Sequence, residues 1–165
     1  MAPRDSQRSR VWRAEAEVPH SPLAGLPACA AFVDRVVGSL WWAARFPAHT
    51  LGGVPRLRPG NGARSAFYRE DGGPGPTITL PRRFRTKGVV LHELGHWALA
   101  GTGVADHGPT FARLMVDATA ESCGGDRAAA LLAAYERHRV RVGPAPTLAA
   151  DRLVYGTEER ARALA

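Results

Sequence analysis

The chain has 165 residues, enough for one domain with a hydrophobic core and too few for two ordinary domains. An apolar fraction of 45% and a charged fraction of 22% are typical of a folded protein and exclude a disordered one. The formal net charge of +7 is compatible with a nucleic-acid partner. However, Lys87 is the only lysine among 22 basic residues, and this Arg bias is also what a GC-rich genome encodes.

Cysteine usage and hydropathy predict a cytoplasmic protein. Cys29 and Cys123 lie far apart and form no CxxC pair, so we expect two free thiols in a reducing compartment. The Arg-rich first residues lack the apolar segment of a secretory signal. The longest apolar run, residues 36 to 44, is too short to span a bilayer, so no membrane partner is expected.

The first part of the chain is predicted to form an arm and then a helix. Residues 1 to 18 are charged and contain three large apolar side chains, Val11, Trp12 and Val18. We expect them to be either a loose arm or one short edge element. Between residues 26 and 44 apolar side chains recur at helical spacing, and Pro47 stops the pattern, which predicts a core helix.

Short apolar runs alternate with Gly and Pro between residues 50 and 81. They predict three strands of a small antiparallel sheet, at residues 54 to 58, 63 to 69 and 77 to 80. The turns between these strands are predicted at residues 59 to 62 and 71 to 74.

The second half of the chain is strongly helical. Three helices are predicted, at residues 86 to 100, 109 to 123 and 126 to 140. Thr86 and Asp126 are the expected N-caps of the first and the third, and Pro109 is expected in the first turn of the second. A polar tail follows, with one short helix expected from Thr157.

These elements predict an α+β fold in which an N-terminal helix and a small antiparallel sheet precede three more helices. The expected division of the chain is an N-terminal arm at 1–18, one domain at 19–143 and a C-terminal tail at 144–165.

The helix predicted from Thr86 contains the HExxH motif His92-Glu93-Leu94-Gly95-His96. Residues i and i+4 share a helix face, so both imidazoles can reach one ion, and Glu93 lies beside that face. Zinc favours imidazole nitrogen, and three protein ligands leave a fourth position open for catalysis. The motif therefore predicts a zinc site with Glu93 as its catalytic base. The alternative is a pair of surface histidines on an ordinary helix.

The third zinc ligand is predicted to be His107, which follows a turn at residues 101 to 103 and can point back at the motif. The alternative is a loop histidine at the start of the next helix. Glu121 is a rival ligand, because one class of zinc peptidases takes a glutamate from a downstream helix. Asp106 and Asp117 are either carboxylates that orient an imidazole or surface acids. The remaining histidines are expected to be exposed: His20, His49 and His138.

The motif at residues 92 to 96, followed by His107-Gly108-Pro109-Thr110-Phe111, resembles the HExxH…HGxxF signature of SprT-like zinc metallopeptidases. The chain is also similar to a family of small actinobacterial metallohydrolases, whose members open with a segment like residues 4 to 11. The resemblance implies a zincin-like fold, a catalytic Glu93, and zinc bound by His92, His96 and His107. SprT-like proteins often add a cysteine-rich zinc module or a DNA-binding region, and this chain has neither, which argues against a role on DNA-crosslinked proteins.

The expected function is a zinc-dependent hydrolase, foremost a metallopeptidase acting on a protein or peptide, with a non-peptide amide as another possible substrate. The strand at 77 to 80 is either the strand that receives an extended substrate or a simple edge strand. The basic residues at 82 to 87 either meet an acidic substrate or nucleic acid, or form a solvated turn. The alternative function is a non-catalytic, zinc-stabilised module that binds nucleic acid or protein through a basic surface.

Overall fold

The fold is α+β, with seven α-helices and a small three-stranded mixed sheet within the described residues. A computed structural model describes residues 5–51, 53–70, 75–145, 147–149 and 152–154. The helices are α1 Arg8–Ala16, α2 Leu26–Val37, α3 Leu40–Arg45, α4 Pro47–Leu51, α5 Lys87–Leu99, α6 Pro109–Cys123 and α7 Gly125–Arg137. The strands of the mixed sheet are β1 Arg56–Pro59, β2 Phe67–Arg69 and β3 Thr77–Leu80.

The N-terminal residues form helix α1 instead of a loose arm or an edge element. Val11 and Ala14 are completely buried, and α1 packs against α7. Gln7 is buried just before the helix, and its side-chain amide pairs with the backbone of Arg141 at 3.1 and 3.0 Å. The prediction of an arm or edge element was wrong. Few apolar side chains of α1 make contacts with the core, and the many charged residues between them obscure the helical spacing.

The predicted helix at 26 to 44 consists of two helices, α2 and α3. Gly38 ends α2, and the Ser39 hydroxyl accepts the backbone N–H of Trp42 at 3.1 Å as the N-cap of α3. Pro47 stops the pattern as expected, but it also stands at the first position of α4. Apolar spacing continued across the break, so the periodicity alone could not reveal it.

The sheet is mixed, and the prediction of an antiparallel sheet was wrong. Its strand order is β1-β3-β2, with β3 parallel to β1 and antiparallel to β2. Strands β1 and β2 do not form a hairpin, because β3 lies between them in the sheet and the chain that joins them crosses the position of β3. Strand β3 has the predicted bounds, and its inward side chains Ile78 and Leu80 are completely buried. The turn predicted at 71 to 74 lies outside the described residues.

Helices α5, α6 and α7 agree with the predicted positions to within a few residues. Thr86 caps α5 by accepting the backbone N–H of Val89 at 3.3 Å, and Pro109 opens α6. Asp126 is not the cap of α7, because Gly124 occupies that position and Asp126 lies in the first turn. An acid there still favours the positive end of the helix dipole. Helix α7 ends at Arg137, three residues short of the expected Val140.

The last described residues form two antiparallel strands, β4 Thr147–Ala149 and β5 Arg152–Val154, which the sequence did not predict. The helix expected from Thr157 lies outside the described residues. Among the helices that the structure describes, none has the length and apolar character needed to cross a membrane.

Candidate metal centre

Three imidazoles from two regions of the chain converge on one point. His92 and His96 project from α5, and His107 lies in the connection between α5 and α6. The Nε2 atoms of His96 and His107 lie 3.1 and 3.2 Å from Nε2 of His92. The potential ligand atoms of all three residues lie within 4.8 Å of one another, so this group could hold a metal ion.

The connection between α5 and α6 turns His107 back toward α5. Gly101 and Gly103 have φ angles of 73° and 77°, which place both in the left-handed region that glycine adopts without strain. His107 is 5% exposed at the end of this turn. The two glycines therefore allow the sharp reversal that brings the third imidazole to the HExxH helix.

Two carboxylates from the N-terminal segment lie behind the imidazoles. Nδ1 of His92 is 2.6 Å from Oε2 of Glu15, and Nδ1 of His107 is 2.8 Å from Oδ2 of Asp5. A carboxylate can only accept, so each Nδ1 carries the proton and donates it. The hydroxyl of Tyr135 on α7 donates to Oε1 of Glu15 at 2.8 Å and fixes that carboxylate.

This hydrogen bonding tests whether the residues fit a cation. When Nδ1 donates, Nε2 of a neutral imidazole is an acceptor, so in their neutral forms His92 and His107 direct two lone pairs at each other across 3.2 Å. A cation between them satisfies both. Tetrahedral zinc with Zn–N distances of about 2.0–2.1 Å sets its ligand nitrogens about 3.3 Å apart. The donor set and its spacing therefore fit an imidazole-bound metal.

Aromatic rings enclose the cluster on two sides. Trp12 of α1 lies over His92 with ring centroids 4.4 Å apart. The ring centroid of Phe111 on α6 lies 4.9–5.2 Å from the ring centroids of all three imidazoles, and the ring stacks on His96. A Cβ on Gly95 would stand 2.9 Å from the Phe111 ring, so glycine in the motif lets α6 approach α5 closely.

Burial and neighbouring charge act in opposite directions on the histidines. Burial lowers the pKa of His96 to about 2, assisted by the charges of His92 and His107. Burial also lowers the pKa of His107, although Asp5 opposes it. For His92 burial is outweighed by the Glu15 carboxylate, and the pKa is raised. The carboxylate behind His92 thus makes that imidazole the most basic of the three.

Glu93 is 2% exposed and lies next to His92 on α5. Burial raises the pKa of its carboxyl, while His92 and a hydrogen bond from the backbone N–H of Tyr68 oppose that rise. The residue is therefore a buried proton acceptor that strand β2 holds in place.

The rival site residues lie elsewhere. Glu121 is exposed on α6 and is not among the potential ligands of the histidine cluster within the described residues. Asp106 is exposed, and Asp117 pairs with Arg45 at 3.1 Å and Arg113 at 3.6 Å. The positions suggested for Asp106 and Asp117, behind an imidazole, are occupied by Glu15 and Asp5. Both were missed in the sequence, because helix α1, which carries Glu15 and follows Asp5, was not predicted.

The other histidines are half-buried, so the expectation that they would be exposed was wrong. A ring nitrogen of His49 is 3.1 Å from the backbone oxygen of Trp97, and one of His138 is 2.5 Å from Glu17. His20 packs against Gly88 of α5. None of the three reaches the histidine cluster described above.

Part of the basic cluster before α5 is used to fix the backbone. The guanidinium of Arg83 donates to the backbone oxygen of Arg64 at 2.7 Å. Arg85 donates to the backbone oxygen of Leu80 at 3.2 Å. These two side chains therefore tie the turn after β3 to its surroundings, a structural role that the sequence did not suggest.

Glu15→Gln is expected to lower zinc affinity about 10- to 100-fold, because the variant removes the charge behind His92 that keeps its Nε2 a strong donor. Competition with a chromogenic zinc chelator measures the change. Glu17→Gln is the matched control, since Glu17 is two residues away, exposed, and paired with Arg137 and His138 instead of a cluster histidine. Equal affinities for the two variants would contradict the role given to Glu15.

Comparison with known proteins adds no relative to this picture: no protein-family model, no curated protein and no solved structure matches the chain. The functional assignment therefore depends on the residues and on the geometry of the centre.

Proposed function

We propose that the chain is a zinc-dependent metallopeptidase with Glu93 as its general base and with His92, His96 and His107 as the metal ligands. The arrangement of side chains around the histidine cluster supports this proposal. Three imidazole nitrogens face one point, two of those imidazoles are fixed from behind by carboxylates, and a buried glutamate adjoins the same helix face.

The number of ligands favours catalysis over a structural role. A structural zinc site normally has four protein ligands, whereas a catalytic site has three and keeps one position open. Within the described residues the group of potential ligands comprises three histidines. A buried glutamate beside such a group has no use in a purely structural site, so the non-catalytic module is the weaker hypothesis.

Each residue has a distinct task in the proposed reaction. When bound, zinc would supply Lewis-acid chemistry, lowering the pKa of a water molecule and polarising the substrate carbonyl. Glu93 takes the proton from the attacking water and returns it to the leaving amine. Burial raises the pKa of Glu93, which makes its carboxylate a stronger base than an exposed one. The backbone N–H of Tyr68 keeps it aligned.

We further propose that the protein is SprT-like with a zincin-like arrangement. The support is the order of its parts: four helices, a small sheet, the HExxH helix, and a helix preceded by the third histidine in His107-Gly108-Pro109-Thr110-Phe111. Phe111 of that segment contacts all three imidazoles.

An extended substrate cannot join the sheet at β3, the strand that the sequence suggested. Strand β3 is central and is paired on both sides, with β1 and with β2. The sheet edge nearest to the HExxH helix belongs to β2, since β2 is an edge strand and contacts α5. We therefore assign substrate alignment to the outer edge of β2.

Removal and return of the metal tests the proposal. The zinc-loaded protein is expected to cleave members of a quenched fluorescent peptide library. Dipicolinic acid should abolish cleavage, and one equivalent of zinc should restore it. Cleavage that persists after the metal has been removed would contradict a zinc mechanism, and absence of cleavage across the library by zinc-loaded protein would contradict a peptidase.

A further inference from the structure

A cavity of 370 Å³ lies between α1, α5, α6 and α7, beside the metal centre. His92 and Glu15 line it, so it adjoins the Nδ1 side of His92 and not the side that faces the other two imidazoles. Pro19 and Arg83 line it as well, and both are exposed, so the cavity reaches solvent. Its volume is near the lower end of the range for small-molecule sites, which is about 300–1,000 Å³.

The walls of the cavity are largely apolar. Rings and aliphatic side chains come from all four helices and from the turn before α5: Trp12, Phe84, Val89, Met115 and Leu131. A charged ligand would lose hydration against these walls, because the one guanidinium among the lining residues, that of Arg83, belongs to an exposed side chain that donates to the backbone oxygen of Arg64. The Glu15 carboxylate already accepts from His92 and Tyr135, and its negative charge disfavours an anion. A neutral, mostly apolar ligand suits these walls.

Two polar atoms of the lining lack a partner. Thr119 is 1% exposed, and its hydroxyl has no hydrogen bond within the described part of the chain. Nδ1 of His20 is also buried and has no hydrogen bond there. An unsatisfied buried polar atom costs about 1–3 kcal/mol. Both residues line the same cavity, so a polar group inside it is a candidate partner for their unpartnered atoms.

The placement of His20 depends on a glycine. A Cβ on Gly88 would lie 2.4 Å from Cδ2 of His20, so only glycine lets the imidazole pack directly on α5. The half-buried imidazole forms part of the cavity wall. Burial lowers the pKa of His20, which favours the neutral ring, able to donate or accept through Nδ1.

We propose that this cavity is a binding site for a small neutral group with an aromatic or branched aliphatic body and one hydroxyl. The hydroxyl of this group donates a hydrogen bond to either Thr119 or His20 and accepts one from the other. Its aromatic or aliphatic part contacts the apolar walls. The group can belong to a free molecule or to a side chain of a peptide. The site does not rest on the proposed peptidase activity, because its two unpartnered atoms belong to Thr119 and His20, neither of which is a proposed metal ligand or the proposed base.

Binding of p-cresol and toluene, which differ only by the hydroxyl, tests the proposal on the whole protein. The methyl resonances of Val89, Met115 and Leu131 are expected to shift saturably with either compound. The p-cresol should bind about three- to tenfold more tightly, as one hydrogen bond allows. Thr119→Val keeps the shape of the side chain, removes one of the two hydrogen-bond partners and should reduce the preference for p-cresol. Thr79→Val, on the sheet, is the matched control and should leave the preference intact.

A second variant covers the case in which Thr119→Val does not fold. Val89→Phe fills the cavity from α5 and should abolish the shifts caused by both compounds. The site would be overturned by toluene binding as tightly as p-cresol to the unaltered protein, by a preference for p-cresol that is undiminished in Thr119→Val, or by shifts absent from the cavity methyls.

A third compound distinguishes the two sources of the ligand. N-acetyl-tyrosine amide carries the same phenol on a peptide backbone. If it shifts the cavity methyls as p-cresol does, the site receives a substrate residue. If only p-cresol shifts them, the site takes a free small molecule, and both results support the proposed chemistry.

Discussion

Replacing Glu93 with Gln is expected to lower peptide hydrolysis by a factor of about 10² to 10⁴, the usual contribution of a general acid–base residue. Glutamine has the same shape and keeps an oxygen that can accept the Tyr68 backbone N–H, but it cannot take a proton from water. The metal ligands are untouched, so zinc content should stay at the level of the unaltered protein. Initial rates on a peptide substrate and zinc content by mass spectrometry check both parts.

Glu121→Gln is the matched control for this variant, because Glu121 is an exposed glutamate on the neighbouring helix that is not among the potential metal ligands of the histidine cluster. Its rate should match that of the unaltered protein. Hydrolysis that is undiminished in Glu93→Gln would remove Glu93 from the mechanism. Loss of zinc in that variant would instead show that the carboxylate supports the site structurally.

Replacing His107 with Ala is expected to lower zinc affinity by more than the roughly 10- to 100-fold that accompanies the loss of a carboxylate behind a ligand. The variant removes one of three imidazoles and leaves two neighbours on one helix. It also leaves Asp5 without its histidine partner. Chelator competition gives the affinity, and the zinc content of the purified variant should fall to a trace.

Glu121→Ala is the control variant for His107→Ala, since the sequence offered Glu121 as the alternative third metal ligand. Zinc affinity in Glu121→Ala should be unchanged. If Glu121→Ala lost its zinc and His107→Ala retained it, the protein would belong to the class with a glutamate ligand. Circular dichroism of both variants separates a loss of metal from a loss of fold.

Local signals in the sequence predicted the elements that position the centre. Thr86 and the bounds of β3 were correct because capping and strand alternation are set within a few residues. The mixed sheet was missed because strand pairing depends on where the chain crosses, and the residues between β1 and β2 carry turn signals that fit a hairpin equally well. The break at Gly38 was missed because apolar side chains continue at helical spacing on both sides of it.

The part of the candidate site that depends on spacing along one helix was predictable from the sequence. The sequence named the three histidines, and the structure brings them together. The carboxylates behind them were not predictable, because Glu15 and Asp5 are 77 and 102 residues distant from their histidines. The closest available signal was Val11, Ala14 and Val18, spaced by three and four residues, which could have indicated a helix.

The docking of α1 on α7 also sets the order in which the centre can be completed. A growing chain that has reached Phe111 already contains the three imidazoles and Glu93. Helix α1 cannot yet pack, because Tyr135 and the backbone of Arg141, which anchor Glu15 and Gln7, have not been synthesised. Metal captured at that stage would be held by imidazoles without their carboxylates. If the centre binds zinc as proposed, tight metal retention would therefore require α1 to have packed on α7, and it would report that the N-terminal segment and the later helices have come together.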